Sequence, residues 1–314
     1  MCKAMELLFI LLLALVIDVL LGELPRVVHP VVWMGKIISF WERLAPVQGA
    51  RSQLVYGGGM VLLTTFIFTS PVYFLLLYMN EISAIAYIIV GALLLKPTFA
   101  LRELRQAALK IKVLLARDDL KEARAKIPAL VSRETQSLGK PALVSATVES
   151  VAENICDSFV APLFYFLILG VPGAMAYRVV NTCDAMIGYR GKYGYLGKFA
   201  ARMDDVLSFI PARISGLLLV IAAYLCRRDS RNAWQVMFRD HGRTESPNAG
   251  WPMSAAAGAL RTRLEKAGCY CLGNANNPLS PQLIASGVKL AGMAALLWVL
   301  LCVIVEVTYF VFVA

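Results

Sequence analysis

The sequence predicts an all-α fold: a polytopic integral membrane protein with a re-entrant helical hairpin and cytoplasmic amphipathic helices. Of its 314 residues, 59% are hydrophobic, against roughly 45–50% in soluble domains, and the mean hydropathy is +0.65. Several apolar runs approach or exceed the length of about 20 residues that crosses a bilayer. The sequence shows no internal repeat and no soluble-domain boundary, so residues 1–314 are predicted to form a single membrane-embedded domain.

Basic residues flank these apolar runs and give the chain a net charge of +10. This placement is typical of proteins beside an anionic membrane leaflet. No nucleic-acid-binding motif accompanies the charge, so we expect the lipid bilayer as a partner and no nucleic acid. The seven cysteines are scattered and odd in number, which indicates buried thiols rather than a disulfide framework.

The N-terminal third begins with an apolar run over residues 5–21, interrupted by Glu6 and Asp18. The run predicts a retained membrane helix, because no small-residue cleavage site follows it. Asp18 is either a functional carboxylate or an interfacial one. Residues 26–41 are typical of an interfacial segment, in which His29 is either a structural hydrogen-bonding residue or a catalytic group.

The next part of the chain predicts a pair of membrane helices and a basic loop. Residues 56–78 predict a spanning helix, and residues 82–95 return after a turn at residues 79–81. Residues 96–140 contain 11 basic residues, so by the positive-inside rule this loop is cytoplasmic. An apolar stripe predicts an amphipathic surface helix, and Asp118 is expected to cap a second helix after it. The stripe consists of Leu101, Leu104, Ala108, Ile111 and Leu115.

The re-entrant hairpin is predicted within residues 142–189. Residues 142–169 indicate one long helix that Pro162 can kink. Its apolar part, residues 159–169, is too short to cross a bilayer before the Gly-Val-Pro-Gly break at residues 170–173. The chain is therefore expected to turn there and return to the same side of the membrane. A separate apolar run over residues 287–313 predicts a final spanning helix.

Acidic and amide side chains are concentrated in residues 148–213, which are otherwise oily. Glu149, Glu153 and Asp157 are four residues apart, so a helix places them in one ladder, where like charges repel. Six carboxylates fall between residues 149 and 205, and this density in a membrane protein favours a divalent cation. The glycine- and tyrosine-rich residues 188–197 are either an anion-binding loop or a simple connector.

Four strings, in order, carry a resemblance to a known family: VESVAENICDSFVAPLFY, NTCDAMIGYR, ARMDDVLSFIPARI and SPNAGWP. They are similar to the CbiB/CobD family of cobalamin biosynthesis, adenosylcobinamide-phosphate synthase. The resemblance implies an ATP-dependent ligase that joins adenosylcobyric acid, a corrinoid, to aminopropanol or aminopropanol O-phosphate, through an acyl phosphate. It also implies a cell-membrane location and association with other membrane enzymes of cobalamin assembly. The re-entrant hairpin would place the carboxylates on the same side as the basic loop, so the active site is expected to face the cytoplasm.

Such a reaction needs Mg²⁺ and basic residues that hold the charge of ATP. Residues 142–213 are the expected catalytic core, and residues 227–285 form the expected polar substrate-binding segment. The expected catalytic residues are Glu153, Asp157, Asp184 and Arg190, and the expected metal ligands are Asp157, Asp184, Asp204 and Asp205. The expected substrate- or phosphate-binding residues are Arg133, Asn154, Asn181, Lys192, Arg213, Ser246 and Asn248.

The chain departs from the family pattern at several positions. It has Gly22-Glu23-Leu24-Pro25 for Gly-Asp-Pro, Glu134 for aspartate, Thr244 for histidine, Met253 for glutamate and Glu265-Lys266 for Gly-Gly. Two other classes of protein remain as alternatives. The first is a transporter with an intramembrane acidic site, an alternative that applies to any multi-pass protein with acidic residues in its membrane segments. A non-catalytic membrane sensor of the AmpE type would share the scaffold without the reaction.

Overall fold

The computed structural model describes residues 3–25, 27–131, 133–188 and 194–313, with only the backbone of residues 3, 4 and 313. The helices are α1 (Lys3–Leu20), α2 (Pro30–Arg43), α3 (Ala50–Ile82), α4 (Ala84–Leu95), α5 (Leu101–Ala116), α6 (Leu120–Lys126), α7 (Lys140–Ile155), α8 (Ala161–Ile187), α9 (Lys198–Leu207), α10 (Phe209–Leu225), α11 (Ser230–Asp240), α12 (Gly250–Leu260) and α13 (Pro281–Val313). Strands β1 (Leu264–Lys266) and β2 (Tyr270–Leu272) pair antiparallel.

The chain divides into two compact units. The first unit consists of Met1–Ala100, Ala161–Leu207 and Cys302–Ala314, and the second consists of Leu101–Val160 and Ser208–Leu301. The prediction of one domain over residues 1–314 stays a prediction, and each unit is described by itself.

In the first unit, α3 packs against α4, α8 and α9, and α1 packs against α4. The turn predicted at residues 79–81 is wrong, because α3 continues through them to Ile82. The break comes at Ser83, whose extended backbone leaves the helix and whose Oγ accepts a hydrogen bond from the backbone N–H of Ile85 at 3.2 Å. An N-cap serine is a stronger helix boundary than the polar pair Asn80-Glu81, which a helix tolerates.

The first unit also contains the predicted helical hairpin. Gly170 interrupts α8 with φ 67° and ψ −162°, a conformation that is almost restricted to glycine. Tyr165 and Tyr177 lie on either side of it, and their rings stack with centroids 5.4 Å apart. In a straight helix, residues twelve apart would be separated by roughly 18 Å. The chain therefore reverses direction at Gly170, and the hairpin is confirmed.

In the second unit, α12 packs against α7, α10 and α11, and α5 packs against α6 and α7. The predicted apolar stripe of α5 faces the interior, because Leu104, Ala108, Ile111 and Leu115 are all buried. The cap of α6 is Asp119 rather than Asp118, since the Asp119 side chain accepts from the backbone N–H of Glu122. Asp118 instead forms an ion pair with Lys140 at 2.5 Å.

The predicted continuous helix over residues 142–169 contains a π-helical turn in its middle. α7 ends at Ile155, and Cys156–Val160 form a π-helical turn before α8 begins. Pro162 follows at the second position of α8, where an α-helical path would bring its ring against the carbonyl of residue 158. The wider π turn accommodates this ring. The turn also shifts Asp157 away from the position above Glu153 that a regular α-helix would give it.

Helices that can cross a membrane dominate the described residues. Four stretches are long and apolar enough, with a fifth if α9 and α10 count as one broken span: Ala50–Ile82, Ala84–Ala116, Lys140–Ile187 and Pro281–Phe312. The protein is therefore a multi-pass helical membrane protein, as the sequence predicts. The short β1–β2 pairing is the exception to the all-α expectation.

Candidate active site

An acidic cluster in the first unit joins the returning arm of α8 to α9. The Asn181 amide donates to Asp204 Oδ1 at 3.2 Å, and Arg178 donates to Asn181 Oδ1 at 3.4 Å. Asp184 lies one turn further along α8 and is close enough to Asp205 for their carboxylates to repel each other. The structure therefore brings together the predicted residues Asn181, Asp184, Asp204 and Asp205.

The backbone at Gly188 approaches this cluster closely. A Cβ on Gly188 would lie 1.9 Å from Asp184 Oδ1, so a side chain there would displace the carboxylate. Arg202 lies 3.8 Å from Asp205, with three-quarters of its side chain exposed. The next part of the chain includes Arg190 and Lys192, which lie outside the described residues, so their predicted roles stay predictions.

The donor set of this cluster fits Mg²⁺, which prefers oxygen ligands and is commonly held by one or two carboxylates together with substrate phosphates. Within residues 3–25, 27–131, 133–188 and 194–313, no group of three or more His, Cys, Asp or Glu side chains could hold a metal ion alone. A metal held jointly by this cluster and a polyphosphate is consistent with that finding. The predicted four-carboxylate metal site stays a prediction.

In the second unit, Glu149 of α7 is held by three side chains. Arg133 lies 3.2 Å from Oε2, Ser145 donates to Oε1 at 2.5 Å, and Tyr270 donates to Oε2 at 2.8 Å. Burial, followed by the negative charge of Glu149, raises the pKa of Tyr270, so its phenol remains a donor. Arg133 thus neutralises a buried carboxylate, and phosphate binding by Arg133 stays a prediction.

The next turns of α7 carry further predicted residues. Asn154 donates to the Ser150 carbonyl at 2.9 Å and accepts from Ser158 at 3.2 Å. These bonds fix its amide along the helix. Glu153 and Asp157 are half-buried, and Asp157 lies on the π-helical turn. π-helical turns occur frequently at functional sites.

A third cluster, also in the second unit, surrounds Arg213 of α10. Its guanidinium lies 3.4 Å from the ring centroid of Phe209 and 4.9 Å from that of Trp251. Arg213 Nη1 also donates to Asn248 Oδ1 at 3.1 Å. The backbone N–H of Asn248 donates to Ser246 Oγ at 3.2 Å. The predicted residues Arg213, Ser246 and Asn248 therefore form one group, in which the arginine guanidinium lies close to two aromatic rings.

Sequence reasoning missed an ion-pair network in the first unit that joins α1 to the end of α4. Lys96 is 1% exposed, and its Nζ lies 3.2 Å from Asp18 and 2.7 Å from Glu23. His29 Nε2 lies 2.8 Å from Glu23, while its Nδ1 accepts from the backbone N–H of Val31. His29 therefore connects Glu23 to the first turn of α2, and its choice between a structural and a catalytic role stays a prediction.

This network also sets the protonation of Glu23. Burial raises the pKa of Glu23, but hydrogen bonds from His29 and Lys96 outweigh that effect and hold the pKa below its usual 4.5. Glu23 is one of the positions at which the chain departs from the family pattern. The sequence does contain one signal for this network: Lys96 stands at the end of an apolar run, where a lysine without an acidic partner is costly.

The fold and these clusters define the class of protein: a multi-pass helical membrane protein that gathers carboxylate, amide and arginine side chains within each of its units. The family described as CobD/Cbib protein matches residues 11–291. The chain therefore belongs to the CobD/CbiB family.

Individual relatives match nearly the whole chain. The chain is 55% identical over 299 residues to "Cobalamin biosynthesis protein CobD" of Dehalococcoides mccartyi, covering 95% of this chain and 97% of that protein. It is 40% identical to "Probable cobalamin biosynthesis protein CobD" of Methanothermobacter thermautotrophicus, covering 93% and 95%. The protein of the same name in Methanocaldococcus jannaschii is 38% identical, covering 84% and 88%. No solved structure matches.

Proposed function

We propose that the protein is an ATP-dependent acid–amine ligase of cobalamin biosynthesis, an adenosylcobinamide-phosphate synthase. It joins adenosylcobyric acid to aminopropanol or aminopropanol O-phosphate at the cell membrane, with the substrates on the cytoplasmic side. The observation that carries the proposal is the acidic cluster of α8 and α9, in a chain whose relatives are named for cobalamin biosynthesis.

Amide formation from a carboxylate requires activation. A carboxylate oxygen of the corrinoid attacks the γ-phosphorus of ATP, and ADP leaves to give an acyl phosphate. The amine nitrogen then forms the C–N bond, phosphate leaves, and the nitrogen loses a proton to a base. The protein must therefore hold polyphosphate charge and orient a substrate that is rich in amides.

The clusters described above supply groups for both tasks. Asp184 and Asp205 would provide oxygen ligands for Mg²⁺ together with the phosphates of ATP, and Asn181 fixes the neighbouring Asp204 through its 3.2 Å hydrogen bond. When bound, Mg²⁺ neutralises charge on the transferred phosphoryl group. In the second unit, Arg213 offers a planar donor for phosphate. Asn248 offers an amide for the corrinoid side chains.

The test is amide synthesis by the purified protein in detergent, supplied with adenosylcobyric acid, ATP, Mg²⁺ and either amine, with the product measured by mass spectrometry. Asp184→Asn and Asp205→Asn should lower turnover at least 100-fold, because loss of one electrostatic contact at a reacting centre costs about 2.7–4 kcal/mol. Asp118→Asn is the matched control, since its side chain is 79% exposed and pairs with Lys140.

Absence of product with both amines from a correctly folded protein would refute the ligase and leave the transporter or the AmpE-like sensor. Wild-type turnover in Asp184→Asn and Asp205→Asn would instead retain the ligase and remove the acidic cluster from its mechanism. Far-ultraviolet circular dichroism of each variant separates loss of chemistry from loss of fold.

A further inference from the structure

A groove in the second unit takes no part in the reaction described above. It has a volume of about 400 Å³, within the range of roughly 300–1,000 Å³ that is usual for small-ligand sites. Segments of α5, α7 and α13 form its walls. Its lining residues are Leu101, Leu104, Arg105, Leu109, Val151, Ala285, Val288, Lys289, Ala291 and Gly292. Eight of the ten are apolar or glycine, and the other two are cations.

The two cations of the groove, Arg105 and Lys289, are exposed. In the part of the chain that the structure describes, neither side chain has a carboxylate within ion-pair distance. Two exposed cations at the rim of an apolar groove attract an anion. The apolar walls favour a ligand that carries hydrocarbon as well as negative charge.

The position of Lys289 on α13 places this rim at the membrane surface. Residues 290–305 contain no charged residue, and the stretch Pro281–Phe312 is apolar enough to span. Lys289 is the last charged residue before the uncharged residues 290–305, and a lysine at such a boundary extends its ammonium group toward the lipid headgroups. Arg105 lies on amphipathic α5, in the basic segment predicted to face the cytoplasmic leaflet, which is rich in anionic lipids.

We propose that this groove binds one anionic phospholipid. Its phosphate lies between Arg105 and Lys289, and an acyl chain lies along Leu104, Val151 and Val288. Basic pockets between membrane helices are known to select anionic headgroups in this way. The site requires no contribution from the acidic cluster, so it stands or falls independently of the ligase reaction.

The first test measures bound lipid by native mass spectrometry. The full-length protein is reconstituted in nanodiscs of equal parts phosphatidylglycerol and phosphatidylcholine, extracted, and stripped of loosely bound lipid. The wild type should keep one phosphatidylglycerol and no phosphatidylcholine. Arg105→Gln with Lys289→Gln should lower this occupancy at least tenfold. Lys110→Gln with Arg117→Gln is the control, because it removes two exposed cations that do not line the groove.

The second test fills the groove and leaves both cations intact. A Cβ on Gly292 would meet nothing within 4 Å, so Gly292→Leu extends into open space and should displace the acyl chain, also lowering occupancy at least tenfold. Gly59→Leu in α3 is its control, because that position is equally open and lies outside the groove. These single substitutions also test the site if the double variant fails to fold.

Equal phosphatidylglycerol retention by wild type and the double glutamine variant would overturn the proposal. It would also fail if Gly292→Leu kept the lipid while millimolar glycerol 3-phosphate removed it, because the site would then bind a soluble phosphate. Equal retention of phosphatidylcholine would likewise contradict an anion-selective groove.

Discussion

At the scale of single residues, Lys96 shows how the first unit accommodates a buried charge. Its ammonium group lies between two carboxylates, Asp18 at 3.2 Å and Glu23 at 2.7 Å. We expect Lys96→Met to lower the free energy of unfolding by about 3–5 kcal/mol, because the buried carboxylate of Asp18 and the half-buried carboxylate of Glu23 lose their cation. Thermal unfolding in detergent measures the change.

The control for this substitution is Lys126→Met. Lys126 forms an i,i+4 pair with Glu122, and both side chains are 46% exposed. Exposed pairs of this kind contribute about 0.3–0.5 kcal/mol, so the control should unfold close to wild type. A similar stability loss in both variants would contradict a special role for the buried lysine.

Glu23 gives the same network a dependence on pH. Its pKa is below 4.5 in the folded protein, so its ionised form stabilises the fold above the unfolded pKa, and this contribution disappears as the pH falls through the folded pKa. Comparing melting temperatures of the wild type and Glu23→Gln between pH 7 and 3 isolates this residue. The difference between them should shrink below pH 4.5, and a constant difference would contradict the ion pairs.

Residue chemistry accounts for which parts of the site the sequence could predict. The acidic cluster contains the expected residues Asn181, Asp184, Asp204 and Asp205. This could be predicted because polar side chains in an apolar chain are costly unless they contact other polar groups. The role of Arg133 beside Glu149 could not be predicted from spacing alone. Their contact also involves Ser145 and Tyr270, and a partner 121 residues away leaves no local pattern.

At the scale of elements, the reversal at Gly170 depends on one backbone conformation. With φ 67° and ψ −162°, Gly170 occupies a region that costs other residues on the order of 1–3 kcal/mol. We expect Gly170→Ala to destabilise the protein by that amount. Gly59→Ala, on an open helical surface, should be neutral or stabilise by about 0.5–1 kcal/mol. Equal stabilities would show that the turn does not depend on glycine.

Element prediction succeeded where periodicity or chain-breaking residues carried the information. The apolar stripe of α5 and the Gly-Val-Pro-Gly break both correspond to observed features. It failed where one side chain decides a boundary, as Ser83 does for α4. The π-helical turn before Pro162 and the β1–β2 pairing leave no pattern in composition or hydrophobic periodicity, so they could not be predicted.

At the scale of the whole molecule, the predicted topology places the basic loop, the segment after the hairpin and residues 244–248 on the cytoplasmic side. Single cysteines at Ser137, Tyr195 and Glu245, all exposed, can be introduced into a cysteine-free background. An impermeant maleimide should label all three in inverted vesicles and none in right-side-out vesicles. Labelling of Tyr195→Cys from the opposite side only would refute the re-entrant hairpin.

The Asp18–Lys96 ion pair also constrains how the protein is made. The ribosome delivers α1 long before Lys96, so the newly inserted first helix initially carries its carboxylate without its eventual cation. A buried carboxylate without a cation is costly, even near the end of a membrane helix. We expect the insertion machinery to retain α1 until α4 emerges, and the two segments to leave it for the lipid phase together. Co-translational assembly, rather than later diffusion of finished helices, would then build the first unit.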